Sequence, residues 1–204
     1  MKKILMVVDY QNDFVDPKGA LPVPDANKIW QNIQEKIDSE DYQATIYTFD
    51  THTPAQYNGS DEQKIFPNIH CKYGTEGWNF YKIKPRYNIE FQEAILNDDA
   101  PFNYIKINNE YFFTKDVFNI WDGNEKYPEW FIDTFPKEEY EIDVVGVAQN
   151  YCCFLNIMGM IKRGYKVNLI QNCTEGIKIF PNKIIDISFD KNNKIMKDAG
   201  VNFI

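Results

Sequence analysis

The chain has 204 residues, 44% hydrophobic and 25% charged, which suits one globular domain over residues 1–204 with a sizeable core. A formal net charge of −8 repels nucleic acid and anionic membranes, and the densest basic stretch, Lys82–Arg86, holds only three cations. No apolar run is long enough to span a bilayer, and the run after Met1-Lys2-Lys3 is too short for a signal peptide, so we expect a cytoplasmic protein without nucleic-acid or membrane partners.

In chain order, Lys3–Asp9 is a continuous apolar run ending in an acid, the pattern of a buried parallel strand. Ile29, Trp30, Ile33 and Ile37 fall at helical spacing and predict a helix over Ala26–Ile37, with Asp25 placed to cap it. Ala44–Phe49 reads as a second strand, followed by Asp50. Residues 51–103 mix Pro, Gly, Asn and aromatics and read as loops, with one helix at Ile89–Leu96. Tyr104–Ile107 and Tyr111–Thr114 are short strand candidates.

Regular patterning returns in the last third. Glu141–Ala148 predicts a strand, Tyr151–Arg163 a helix ended by Gly164, and Lys166–Gln171 a strand. A helix is expected to begin at Asn182–Ile187, and Val201–Ile204 to close as the last strand. Alternating strands and helices define an α/β fold, with a parallel sheet covered on both faces. In such sheets ligands bind beyond the carboxyl ends of the strands. Asp9, Asp50, Lys115 and Cys152 each follow a proposed strand, so four reactive side chains fall along one edge.

Of the four cysteines, Cys71, Cys152, Cys153 and Cys173, none has zinc-ribbon or CxxC spacing, and we expect four free thiols. Cys152 follows a strand at the first turn of a helix, where N–H groups lower a thiol pKa and can receive an oxyanion. Singly, Cys152 also reads as a packing residue, Asp9 as a solvated strand-end acid and Lys115 as a surface lysine. Together they supply the nucleophile, carboxylate and cation that acyl transfer through a thiol needs. The only two histidines, His52 and His70, lie within twenty residues of each other beside Asp50. Asp50 and His52, two apart on an extended segment, project to the same side, and Glu62 lies between the histidines as a fourth candidate ligand for a divalent metal.

Five segments in order carry a resemblance. They are Val7-Val8-Asp9-Tyr10-Gln11-Asn12-Asp13-Phe14, Gly19-Ala20-Leu21-Pro22-Val23, Asp50-Thr51-His52, the stretch from Phe66 to Thr75, and Gly146-Val147-Ala148-Gln149-Asn150-Tyr151-Cys152. Taken together, the chain resembles the nicotinamidase branch of the isochorismatase-like cysteine hydrolases. The resemblance implies a three-layer α/β/α, Rossmann-type sandwich around a mostly parallel six-stranded sheet. It implies a triad of Asp9, Lys115 and Cys152, and a cis peptide at Val147–Ala148 that helps to form an oxyanion hole from the N–H groups of Ala148 and Cys152. It further implies a divalent metal, zinc with manganese or iron as alternatives, held by Asp50, His52 and His70, with Glu62 added in some members. Phe14 and Phe66 match positions that sandwich a substrate ring, and Tyr151 beside the nucleophile is grouped with them.

The chain departs from that pattern in three places. The His70–Lys115 gap is long, which leaves Lys106 as a rival for the triad lysine. Asn150 stands where an aspartate is usual, and Ile69 adds a residue before His70. An inserted or extended segment at about 79–110 bears on the pocket or a subunit contact. The implied partner is a small amide, nicotinamide first, with another carbamoyl or ureido amide as the alternative and a non-catalytic binding protein of the same fold behind it. The sequence leaves the oligomeric state open, a homo-oligomer included.

Overall fold

A computed structural model describes residues 1–87, 104–178 and 188–204. Seven strands form one sheet: β1 (Lys2–Val8), β2 (Tyr42–Asp50), β3 (Tyr104–Ile107), β4 (Glu110–Lys115), β5 (Tyr140–Gly146), β6 (Lys166–Thr174) and β7 (Asn202–Phe203). Their order is β3-β4-β2-β1-β5-β6-β7. All neighbours are parallel except β3 and β4, which pair antiparallel. The α/β arrangement expected from the sequence is the observed one, with one strand more than the expected six.

The described helices are α1 (Asn12–Val15), α2 (Trp30–Asp38), α3 (Pro54–Tyr57), α4 (Asp61–Ile65), α5 (Ile120–Gly123), α6 (Tyr127–Thr134), α7 (Phe154–Lys162) and α8 (Ser188–Asp198). The expected helices at Ile89–Leu96 and Asn182–Ile187 lie outside the described residues. Residues 51–65, expected as loop, contain α3 and α4. Each is a single capped turn: Thr53 Oγ1 accepts from Gln56 N–H, and Ser60 Oγ accepts from Gln63 N–H. Turns this short leave no apolar period to read.

Side chains alternate across β1 and feed two cores. Leu5 and Val7 pack with Tyr47, Phe49 and the α2 residues Ile33 and Ile37 on one face. Ile4, Met6 and Val8 pack with Phe113 and with Phe131 of α6, Ile157 and Met160 of α7 and Met196 of α8 on the other. Each fully buried aliphatic side chain contributes about 1.5–3 kcal/mol, so these two layers set the stability of the sheet that carries the strand ends.

The chain runs from β1 to β2 on one side and later returns to place β5 on the other side of β1. The crevice at such a switch point opens beyond the carboxyl ends of β1 and β5. Gly146 makes that junction possible. It adopts φ 112, and a Cβ there would lie 2.1 Å from Val8 O.

Candidate active site and metal centre

Four adjacent strands, β4, β2, β1 and β5, end at the same edge of the sheet and deliver Lys115, Asp50, Asp9 and the turn bearing Cys152. Asp50 and Lys115 are direct register partners. Asp9, Asp50 and Lys115 are completely buried, and Cys152 nearly so.

The chain turns at Asp9, which adopts φ 46, a left-handed conformation that aspartate tolerates better than most residues. Its Oδ1 accepts a 2.6 Å hydrogen bond from Thr48 Oγ1, and its Oδ2 lies 2.8 Å from Lys115 Nζ. Lys115 Nζ also lies 2.9 Å from Asp50 Oδ1 and 3.8 Å from Cys152 Sγ. Burial raises the Asp9 pKa above the usual carboxylate value, and the Lys115 ammonium only partly offsets it. Burial also pushes the Cys152 thiol well up, against the pull of Lys115. For Lys115 burial works the other way, but Asp50 and Asp9 outweigh it and hold the ammonium charged. A neutral thiol thus rests beside a carboxylate of raised basicity and a fixed cation.

Cys152 sits in a wide turn, Gln149–Cys153, ahead of α7 rather than within a regular helix beginning at Tyr151. In that turn Cys153 N–H donates to Ala148 O, five residues back. The Val147–Ala148 peptide immediately before it is cis.

The second half of the site grows from Asp50. Its Oδ2 lies 3.0 Å from His52 Nε2 and 3.3 Å from His70 Nε2, and Glu62 Oε1 lies 3.2 Å from His70 Nε2 and 3.6 Å from His52 Nε2. Asp50, His52, Glu62 and His70 are all buried and place one donor atom each within 4.8 Å of one another. His52 Nδ1 faces Gln56 Oε1 at 3.2 Å and His70 Nδ1 faces Asn68 O at 3.2 Å. With the Nδ1 protons directed at those oxygens, each Nε2 is left to bind a metal. Glu62 Oε2 is buried without a partner among the described residues. Two imidazoles and two carboxylates, one with an orphaned oxygen, fit a divalent ion of the zinc, manganese or iron type.

An apolar pocket lies over Cys152 and Ala148. Phe14, Phe66, Phe118 and Tyr151 form its aromatic walls, and Leu21, Val23 and Ile177 the aliphatic ones. Phe14 also stands 5.3 Å, centroid to centroid, from the His70 ring, so the pocket adjoins the histidine cluster.

The structure therefore brings Asp9, Lys115 and Cys152 together, groups Asp50, His52, Glu62 and His70 beside them, and sets Phe14, Phe66 and Tyr151 around the nucleophile. It leaves Lys106 elsewhere: that side chain is exposed on β3, its ammonium 5.5 Å from the centre of the Tyr111 ring. Several contributors carried no chemical signal in the sequence. Thr48 reads as an ordinary strand residue, yet holds Asp9. Gln11 lies in a quoted segment without a role, yet its Nε2 donates to Asp50 O at 2.9 Å and its Oε1 accepts from Asp50 N–H at 2.8 Å. Phe118, three residues after Lys115, was legible only once the lysine's position was known.

A parallel α/β sheet with a buried thiol, carboxylate and lysine at its switch point, next to a histidine–carboxylate cluster, defines a thiol hydrolase architecture with a metal-binding side. The chain belongs to the isochorismatase family: the family's isochorismatase domain matches residues 3–180. It is similar to the nicotinamidase of Saccharomyces cerevisiae, 24% identical over 89% of this chain and 92% of that protein. It is similar also to the nicotinamidase of Escherichia coli, 28% identical over 88% of this chain and 85% of that protein. Among solved structures, the pyrazinamidase of Pyrococcus horikoshii in complex with zinc superposes with a TM-score of 0.72 at 21% identity, covering 100% of this chain and 99% of that one. A protein from L. infantum in complex with nicotinate gives a TM-score of 0.73 at 18% identity over 100% of this chain and 92% of its own. At these identities the structural likeness establishes the fold.

Proposed function

We propose that the chain, one domain over residues 1–204, is a cysteine amidohydrolase, a nicotinamidase that converts nicotinamide and water to nicotinate and ammonia. The observation that carries this reading is the contact of Lys115 Nζ with both Asp9 Oδ2, at 2.8 Å, and Cys152 Sγ, at 3.8 Å, beneath an apolar pocket walled by Phe14, Phe66 and Tyr151. The nicotinamidase relatives support the choice of amide.

In this reading Asp9 takes the Cys152 thiol proton, and its raised pKa makes it the stronger base for that step. Asp9 is then neutral, and Lys115 stabilises the Cys152 thiolate. The thiolate attacks the carboxamide carbon, and the N–H groups of Ala148 and Cys152 receive the oxyanion. Asp9 returns the proton to the amide nitrogen, the C–N bond breaks and ammonia leaves, with a nicotinoyl thioester on Cys152. Asp9 then takes a proton from water, the hydroxide attacks the thioester carbon, the C–S bond breaks and the sulfur is reprotonated.

Phe14, Phe66 and Tyr151 flank the ring. Asp50, His52, Glu62 and His70 would hold the divalent ion, zinc first with manganese or iron also suited to the donors, and when bound it supplies a Lewis-acid anchor for the ring nitrogen. Four free, buried cysteines suit a reducing compartment, and we assign the chain to the cytoplasm. The deciding experiment is an ammonia-release screen over nicotinamide, pyrazinamide, ureido compounds and simple carbamoyl amides. Preference for the two ring amides supports the reading, and release only from ureido or carbamoyl compounds replaces it.

A further inference from the structure

Asn150, two residues before Cys152, pairs with Ile177 as one peptide group pairs with another. Its Nδ2 donates to Ile177 O at 3.0 Å, and its Oδ1 accepts from Ile177 N–H at 2.9 Å. The same Nδ2 reaches Ser188 Oγ at 2.7 Å, and Asn192 Nδ2 donates to Asn150 O at 2.8 Å, so α8 secures the nucleophile turn from behind. The fit is close. A Cβ on Gly176 would stand 2.7 Å from Asn150 Oδ1. Ile177 is itself a wall of the pocket over Cys152.

We infer that Asn150 is a positioning residue for specificity: its two-point pairing with the Ile177 backbone fixes the pocket wall facing the nucleophile and so limits the bound amide to a single ring. The inference rests on the amidase reading for its choice of ligands. In this chain the amide side chain uses both its donor and its acceptor. An ionised aspartate is nearly isosteric but offers no donor to Ile177 O, and it sets an acceptor against that carbonyl. One arm of the pairing is then lost and the wall is released, while the volume at residue 150 is kept.

The test measures binding rather than turnover. Zinc-loaded Cys152→Ala protein is titrated by calorimetry with nicotinamide and with quinoline-3-carboxamide, whose fused second ring makes it the bulkier probe of the wall that Ile177 helps to form. We expect this protein to prefer nicotinamide, and Asn150→Asp in the same background to lower that preference about tenfold, the effect of losing one hydrogen bond. Ile177→Ala should lower it as far, and adding Asn150→Asp to Ile177→Ala should lower it no further. Asn150→Ser, which drops the pairing without adding charge, serves if the aspartate variant does not fold. A preference unmoved by changes at Asn150 but moved by Ile177→Ala overturns the inference, as do additive effects or equal binding of both amides in the parent. Ammonia release by the unmodified chain is followed in parallel. An inactive chain with the expected binding pattern overturns the amidase reading alone, an active chain with an unmoved preference overturns the positioning role alone, and a chain that binds neither amide overturns both.

Discussion

Lys115 Nζ lies 2.9 Å from Asp50 Oδ1, while the other oxygen of the same carboxylate faces His52 Nε2 at 3.0 Å. One buried aspartate therefore ends the cluster of Asp9, Lys115 and Cys152 and begins the histidine–carboxylate cluster. Gln11, two residues past Asp9, grips the Asp50 backbone by both its N–H and its carbonyl. The ends of β1 and β2 are thereby locked, and the two halves of the site keep a fixed separation.

Thr48 is expected to matter to rate more than to binding. Its hydroxyl holds Asp9 Oδ1 at 2.6 Å and so turns Oδ2 toward Lys115. Thr48→Val keeps the shape but removes a hydrogen bond to a charged group, worth about 1.5–3 kcal/mol. Steady-state kinetics should show kcat lower by roughly tenfold to a hundredfold with KM for nicotinamide little changed. An unchanged kcat would mean that Asp9 needs no such support.

The two lysines separate cleanly. Lys115→Ala leaves Asp9 and Asp50 buried side by side without their cation, a loss of about 3–5 kcal/mol of stability together with activity. Lys106→Ala removes an exposed ammonium resting over Tyr111, and should leave both within error. Denaturant melts and ammonia release on the two variants check this, and a dead Lys106→Ala with a live Lys115→Ala would reverse the assignment.

Metal uptake should expel protons. The carboxylates of Asp50 and Glu62 overcome the effect of burial and raise His52 to about 10 and His70 to about 9 in the metal-free protein. At neutral pH both rings therefore carry a proton that a metal at Nε2 must displace. Zinc titrations in buffers of different ionisation enthalpy should report net proton release near pH 7, and the apparent affinity should weaken as pH falls. His52→Ala or His70→Ala should abolish tight zinc binding by metal analysis, and retention of one equivalent in both would remove these residues from the site.

Much of this was legible in the sequence because two central strands are apolar runs buried on both faces, and a reactive residue ends or closely follows each. Lys3–Asp9 and Glu141–Ala148 are such runs, and their adjacency places Asp9 beside Cys152. The histidines were legible because there are only two. What escaped depends on contacts between distant segments. Thr48 approaches Asp9 only across the β1–β2 ladder, and Asn150 finds Ile177 only after β6 has returned beside β5. The short capped turns α3 and α4 escaped because one turn buries too little apolar surface to print a period, yet α4 carries Glu62 into the metal cluster.

The central claim is that Cys152 Sγ attacks the amide carbon. The most direct measurement is intact-protein mass spectrometry of the chain quenched in acid during turnover of nicotinamide, with peptide mapping to place the adduct. A nicotinoyl thioester on Cys152 that decays to free thiol with release of nicotinate, and that is absent together with ammonia release in a folded Cys152→Ala variant, is the predicted result. Ammonia release at the unmodified rate from Cys152→Ala, or an adduct carried by Cys153, would contradict it.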